Sequence, residues 1–326
     1  MRPRIFITQP IPAGAVERMR RAAEVEWNPD PLHIMTKGEL LDVVRHCDVL
    51  VCLLHDHVDA DVIHANPQLK AIASMTVTPA DIDVAAATER QVPVTVVPAP
   101  LLDDATADLT WALLLATARR VAEGDRLMRA GTFPGSQSCY LVGGSVSGKV
   151  LGILGMGGVG RAVTRRGGGF GMKVLYHDPK RRTMDEEERL GLTWVEFDAL
   201  LARSDFVSVN ARLTPQTRHL LSDREFTLMK PTAYLVNTAR GPIVDERALV
   251  RALAEGRIAG AALDVYEHEP QPDPELMRLP NVVFTPHIGS ADMETRDAMA
   301  NIVADNVLAV IAGRRPPNCC NPEIYA

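Results

Sequence analysis

Short runs of aliphatic and β-branched residues alternate with amphipathic stretches along most of the 326-residue chain. The first apolar runs fall at residues 4–8, 49–54, 69–74 and 92–97, each of a length suited to a buried strand and bounded by polar or turn residues. Between them, apolar positions recur at helical spacing near residues 13–23, 37–46 and 81–90. Strands alternating with helices predict a parallel sheet covered on both faces. From residue 104 to about 130 the pattern is helical without interruption, and Gly131, Pro134, Gly135, Gly143 and Gly144 then mark a long loop. A second alternating series predicts strands at residues 150–154, 173–177, 206–209, 233–236, 259–263 and 282–285, with a closing helix at 291–312. The first series has too few strands after residue 97 to employ that closing helix where it stands. Two lobes are therefore expected, with the last helix returning to the first.

Composition narrows the class. A chain of this length suits two domains, each able to bury its own core. Apolar residues are 46% and charged residues 23%, which excludes disorder, collagen and a small disulfide scaffold. The 35 Lys+Arg against 41 Asp+Glu leave a net charge of -6, which argues against a nucleic-acid-binding surface. Five cysteines (Cys47, Cys52, Cys139, Cys319 and Cys320) are odd in number and form no C-x-x-C pair, so reduced thiols are expected. The start of the chain lacks the apolar core of a signal peptide, and the longest apolar run, residues 109–118, is about half a membrane span. A cytoplasmic protein with no membrane partner is the expectation. None of the nine histidines shows metal-ligand spacing, so no metal is expected.

One motif carries specific chemistry. Gly155-Met-Gly157-Gly158-Val159-Gly160 closes the apolar run 150–154 and opens a helix-compatible stretch. Glycines there let the backbone turn tightly and approach a pyrophosphate, whose charge sits at a helix N-terminus. Asp178, directly after the run 173–177, stands where a carboxylate accepts from the adenine ribose hydroxyls and repels a 2′-phosphate. NAD is thus favoured, although Lys180, Arg181 and Arg182 follow at once and leave NADP open; the plainer alternative is a strand-ending acid before Pro179. Gly167-Gly168-Gly169 would weaken the helix after the loop, which is expected to end early or fray there.

Three later segments make the chain recognisable: Leu235-Val-Asn-Thr238-Ala239-Arg240-Gly-Pro-Ile-Val-Asp245, Ala262-Leu-Asp264-Val-Tyr-Glu-His-Glu269-Pro270, and Thr285-Pro-His287-Ile-Gly-Ser-Ala291. With the glycine loop, Ala105-Thr106-Ala-Asp-Leu and Leu213-Thr-Pro-Gln-Thr217, they resemble the D-isomer-specific 2-hydroxyacid dehydrogenases over nearly the whole chain. The resemblance implies two Rossmann-like domains: a flavodoxin-like substrate domain, residues 1–101 and 287–326, split around an inserted NAD-binding domain, residues 102–286. It also implies an active site in the interdomain cleft and a homodimer joined through the cofactor domain.

Moving hydride between nicotinamide C4 and a carbinol carbon requires a proton to leave or join the oxygen, which suits a histidine. A carboxylate beside it would orient the ring and favour the form that donates to a keto oxygen. An arginine would hold the substrate carboxylate in a bidentate fork. By resemblance, His287 is the acid/base, Glu269 its partner and Arg240 the anion holder, while Thr106, Thr238, Ala239 and Asp264 join the glycine loop and Asp178 around the cofactor. Glu267 competes with Glu269 for the partner role, and His268 reads as exposed. Plainer readings make His287 a loop cap and Arg240 a structural residue before a turn.

The chain departs from the family in two places. The family's Gly-x-Gly substrate turn is replaced here by Thr76-Val77-Thr78 ahead of Pro79. Either the Thr76 and Thr78 hydroxyls take over the anion, or the loop keeps its contact at Val77. Gly158 stands where the family often has arginine. The resemblance implies a small 2-keto or 2-hydroxy acid as substrate, of glyoxylate or hydroxypyruvate type. Alternatives are a phosphorus-containing acid, since several stretches also look like phosphite dehydrogenase, or a non-enzymatic NAD-sensing protein like the C-terminal-binding corepressors. Phosphite oxidation is disfavoured because Val77 stands where that enzyme has a lysine.

Overall fold

The structure is a computed structural model and describes residues 2–79 and 81–326. The chain forms two compact units, one of Met1–Leu101 with Ala291–Ala326 and one of Leu102–Ser290. The division falls four residues beyond 286, so His287 belongs to the same unit as Arg240 and Glu269.

The first unit holds strands β1 (Arg4–Ile7), β2 (Glu24–Trp27), β3 (Val49–Cys52), β4 (Ala71–Ser74) and β5 (Val94–Thr95). They lie in the order β2-β1-β3-β4-β5, all parallel, which is flavodoxin-like. Helices α1 (Ala13–Arg20), α2 (Lys37–Val44), α3 (Ala60–His64) and α4 (Val84–Glu89) connect them. All four residues of β3 and of β4 are buried, because helices cover both sheet faces. Leu50, Ile72 and Val94 pack with Leu40, Val62 and Ala87 on one side. The tail strengthens the edge at β5: the Asn321 carboxamide accepts from Val94 N–H at 2.9 Å and donates to Val92 O at 2.9 Å.

The second unit holds β6 (Val150–Leu154), β7 (Lys173–His177), β8 (Leu192–Trp194), β9 (Phe206–Val209), β10 (Tyr234–Asn237), β11 (Gly260–Leu263) and β12 (Val282–Phe284). Its order is β12-β11-β10-β9-β6-β7-β8, again all parallel. That is the doubly wound dinucleotide-binding order extended by one strand, with its switch point between β6 and β9. Helices α5 (Asp103–Ala118), α6 (Val121–Arg129), α7 (Gly158–Gly169), α8 (Met184–Leu190), α9 (Phe197–Arg203), α10 (Asp223–Leu228) and α11 (Glu246–Ala254) belong to this unit. Neighbouring strand residues feed opposite cores: Leu154, Val207, Leu235 and Leu263 enter one, while Ile153, Phe206, Val236 and Ala262 enter the other. A strand buried on both faces reads as a continuous apolar run, which is why these were visible in the sequence. Helix α12 (Met293–Ile311) belongs to the first unit, where Arg18 of α1 donates to the Asn301 side chain at 2.7 Å and pairs with Asp305.

Two expectations are corrected. The stretch 104–130 is two helices, broken where Arg120 takes the left-handed conformation at φ 54 and ties its guanidinium to Glu123 at 2.8 Å. Helix α7 does not stop short of its glycines but runs through Gly169. Gly167 is buried there, with Leu151 and Trp111 at van der Waals distance of a Cβ, so packing outweighs the propensity cost of about 1 kcal/mol per glycine.

Candidate active site

Close backbone approach dictates the glycine turn after β6. Gly155 sits at φ 90, and a Cβ there would lie 2.7 Å from the backbone of Ala211, which follows β9. A side chain on Gly160 would overlap the Gly155 carbonyl, so the first turn of α7 closes directly onto the loop. Gly157, in contrast, faces open space. It caps α7 without a side-chain hydrogen bond, and the N–H groups of Gly158, Val159 and Gly160 meet no acceptor among the described residues. Free donors at a helix N-terminus beside open space fit a pyrophosphate.

Asp178 follows β7 and closes this turn from the side. Its carboxylate accepts from Met156 N–H and Lys180 N–H, both at 2.9 Å, and from the Arg182 guanidinium at 3.0 Å. Burial raises its pKa, but these donors outweigh burial and the net shift is downward. The acid is therefore ionised and held in place beside the turn. Arg181 is committed elsewhere, in a bidentate pair with Glu187 at 2.9 and 2.8 Å. Asn210, at the switch point after β9, escaped the sequence reading. Its amide donates to the Ser208 carbonyl at 3.1 Å, leaving Oδ1 buried and without a partner among the described residues. A buried unpaired acceptor beside the glycine turn has room to accept from a bound water or a ligand. Its signal was position alone, at the carboxyl end of the strand beside the glycine turn.

The loops after β10, β11 and β12 supply the remaining groups. Asn237 ends β10, accepts from Ala239 N–H at 3.0 Å and donates to the Arg240 carbonyl at 3.0 Å, which fixes the backbone on both sides of Arg240. Gly241 must be glycine, because any Cβ would overlap the Tyr266 carbonyl. That contact lays the Arg240 loop on the turn bearing Glu269. Burial depresses the pKa of the Arg240 guanidinium, against the opposing charge of Glu269. A hydrogen bond from Nη1 to the Ala239 carbonyl at 2.7 Å uses one of its five N–H donors.

His287 Nδ1 lies 2.7 Å from Glu269 Oε2, and Glu269 Oε1 accepts from Tyr266 N–H at 3.0 Å. Only 22% and 18% of the two side chains are exposed, so the pair is shielded yet reachable. Glu267 is engaged elsewhere, 2.6 Å from His219 Nε2 and 3.0 Å from the Arg218 guanidinium; His268 is exposed. Asp264 shapes the histidine loop, accepting from Thr285 Oγ1 at 2.6 Å, Ile288 N–H at 2.8 Å and Gly289 N–H at 2.9 Å. Burial raises its pKa, and the Thr285 hydroxyl, the two N–H donors and nearby His287 work against that. His287 itself sits at φ 55, held by its N–H bond to the Asp264 carbonyl at 2.9 Å. Thr106 approaches Gly289, and Thr238 meets Thr110 hydroxyl to hydroxyl at 2.7 Å.

In the first unit, the Thr76 hydroxyl donates to the Thr78 carbonyl at 2.6 Å and accepts from Ser74. That bond ties the hydroxyl to its own loop. The N–H groups of Val77 and Thr78 donate to nothing among the described residues.

The NAD-binding domain of the D-isomer specific 2-hydroxyacid dehydrogenases matches residues 111–289. A glyoxylate reductase of Thermococcus litoralis is 44% identical over 99% of this chain and 98% of its own length. The chain belongs to the D-isomer-specific 2-hydroxyacid dehydrogenases. Solved structures agree: a Thermus thermophilus protein superposes with a TM-score of 0.90 at 41% identity, covering 97% of this chain and 99% of the other. A glyoxylate reductase of Paecilomyes thermophila gives 0.81 at 32% identity, with 98% of each chain covered. The dehydrogenase is thus an NAD-dependent oxidoreductase built on two parallel-sheet α/β units. Among its described residues no helix is long and apolar enough to cross a membrane, and no cluster of ligating side chains could hold a metal.

Proposed function

We propose that the enzyme reduces a small 2-keto acid of the glyoxylate and hydroxypyruvate type to the D-2-hydroxy acid, with His287 as acid/base, Glu269 as its partner and Arg240 as carboxylate holder. The observation that carries this reading is the 2.7 Å His287–Glu269 contact in the same unit as the half-buried Arg240. The Glu269 carboxylate fixes the ring through Nδ1 and leaves Nε2 to donate to the keto oxygen. Arg240 forks onto the substrate carboxylate, where its weak hydration and planar donors favour bidentate contact. NAD in its reduced form, when bound, would supply the hydride that completes the reduction and leave as the oxidised form. Gly155, Gly157, Gly158, Val159 and Gly160 would hold its pyrophosphate and Asp178 its adenine ribose, with Thr106, Thr238, Ala239, Asn210 and Asp264 on the nicotinamide side. The Val77 and Thr78 N–H groups are proposed as carboxylate donors.

A panel of 2-keto acids assayed with NADH and NADPH tests this. Glyoxylate or hydroxypyruvate should reach kcat/KM above about 10⁴ M⁻¹s⁻¹ with NADH. No turnover of any panel member, despite NADH binding, would remove the proposal.

We also propose a homodimer. Val121, Met128, Phe133 and Val142, in and after α6, are each 57 to 63% exposed, and a partner copy would cover such apolar side chains. Light scattering should give twice the 35.5 kDa chain mass, and a monomer at micromolar concentration would contradict it.

A further inference from the structure

Asp103 opens α5, and its carboxylate rests on the backbone of Gly158, the first residue of α7. A methyl group on residue 158 would overlap Asp103 Oδ2 and Cγ. The acid thus fills the space a side chain at 158 would occupy, beside the free N–H groups of the pyrophosphate turn. It has no hydrogen-bond or ion-pair partner among the described residues. The adjoining Asp104 takes the arginines instead, Arg165 at 2.9 Å and Arg166 at 3.0 Å. Burial and the neighbouring Asp104 push the Asp103 pKa up, and Arg165 and Arg161 of α7 pull it back.

We propose that Asp103 is a built-in counter-anion of the pyrophosphate turn and sets cofactor affinity by competing with the dinucleotide for the positive end of α7. The proposal rests on the dinucleotide reading of this site. A helix N-terminus attracts anions, and in the free protein the Asp103 carboxylate takes part of that attraction. An arriving pyrophosphate meets a like charge well within a Debye length, which weakens binding and hastens release. Gly158 is the permissive half of the pair. A larger residue there would displace the acid, so the bare backbone at 158 is what lets Asp103 sit against the turn.

The test is NADH binding by fluorescence titration of the wild type, Asp103→Asn and Asp103→Ser, with adenosine, which carries no phosphate, as a second probe. Both substitutions should tighten NADH about fivefold at low ionic strength, and the gap should shrink as salt rises toward about 1 M. Adenosine affinity should stay equal across the three proteins. Unchanged or weaker NADH binding in the variants overturns the proposal. A parallel shift for NADH and adenosine also overturns it, since that marks a structural effect. Wild-type protein that binds no NADH would instead sink the dinucleotide reading on which it rests.

Discussion

His287→Asn is expected to lower kcat for glyoxylate reduction by about 10³-fold while leaving NADH affinity within about twofold, the range for loss of a positioned general acid. Asparagine is the informative replacement because His287 occupies φ 55. Asparagine tolerates that left-handed conformation better than alanine, so the loop after β12 should keep its shape and the loss should report chemistry. The bond from the residue-287 N–H to the Asp264 carbonyl is backbone to backbone and survives the change. Steady-state kinetics with a parallel NADH titration decides the matter. NADH affinity falling in step with kcat would show that His287 holds the loop or the cofactor and does not transfer the proton.

Arg240→Ala is expected to cost about 10³-fold in kcat/KM, from two charge-assisted hydrogen bonds at about 2 kcal/mol each. Arg240→Lys should still lose about 10²-fold, because an ammonium keeps the charge and lacks the fork. The residue is well placed for so large an effect: burial already strips water from the guanidinium, so a carboxylate bound there would displace few solvent contacts. Both variants should bind NADH normally. A kcat/KM within tenfold of wild type for Arg240→Ala would assign the carboxylate to other donors, with the Val77 and Thr78 N–H groups the first to examine.

The residues most legible in the sequence were those whose chemistry admits few substitutes. Gly155 turns tightly against Ala211, Asp178 accepts from the N–H of Met156 in that turn, and His287 meets Glu269 at 2.7 Å, each as an arrangement that few residue types allow. The buried central strands were equally plain, since both faces of β6 and β9 to β11 enter cores. The edges were not. Strand β2 reads Glu-Val-Glu-Trp with three exposed residues, and β8 has only three residues. Neither has the apolar run that marks a buried strand, and only pairing with β1 and β7 defines them. The α5–α6 break carries no glycine or proline, so its left-handed Arg120 left no local trace. The α7 glycines failed in the opposite sense: a real propensity cost was overruled by packing that the chain order does not display.

Asn210 and Asp103 were missed for a related reason. An asparagine after a strand and an acid opening a helix are common, and each becomes informative only through what lies beside it. For Asn210 that is a buried Oδ1 without a partner, and for Asp103 it is the bare backbone of Gly158. The Thr76 hydroxyl shows the converse, a chemically suitable group that the fold has already bonded to the Thr78 carbonyl.

The most direct measurement is the fate of the hydride. NADH carrying deuterium at the transferable C4 position, mixed with glyoxylate and the wild-type enzyme, should deliver that deuterium to C2 of the glycolate formed, as read by mass spectrometry. Deuterium recovered only in unreacted cofactor, with no labelled hydroxy acid from glyoxylate or hydroxypyruvate, would contradict the account.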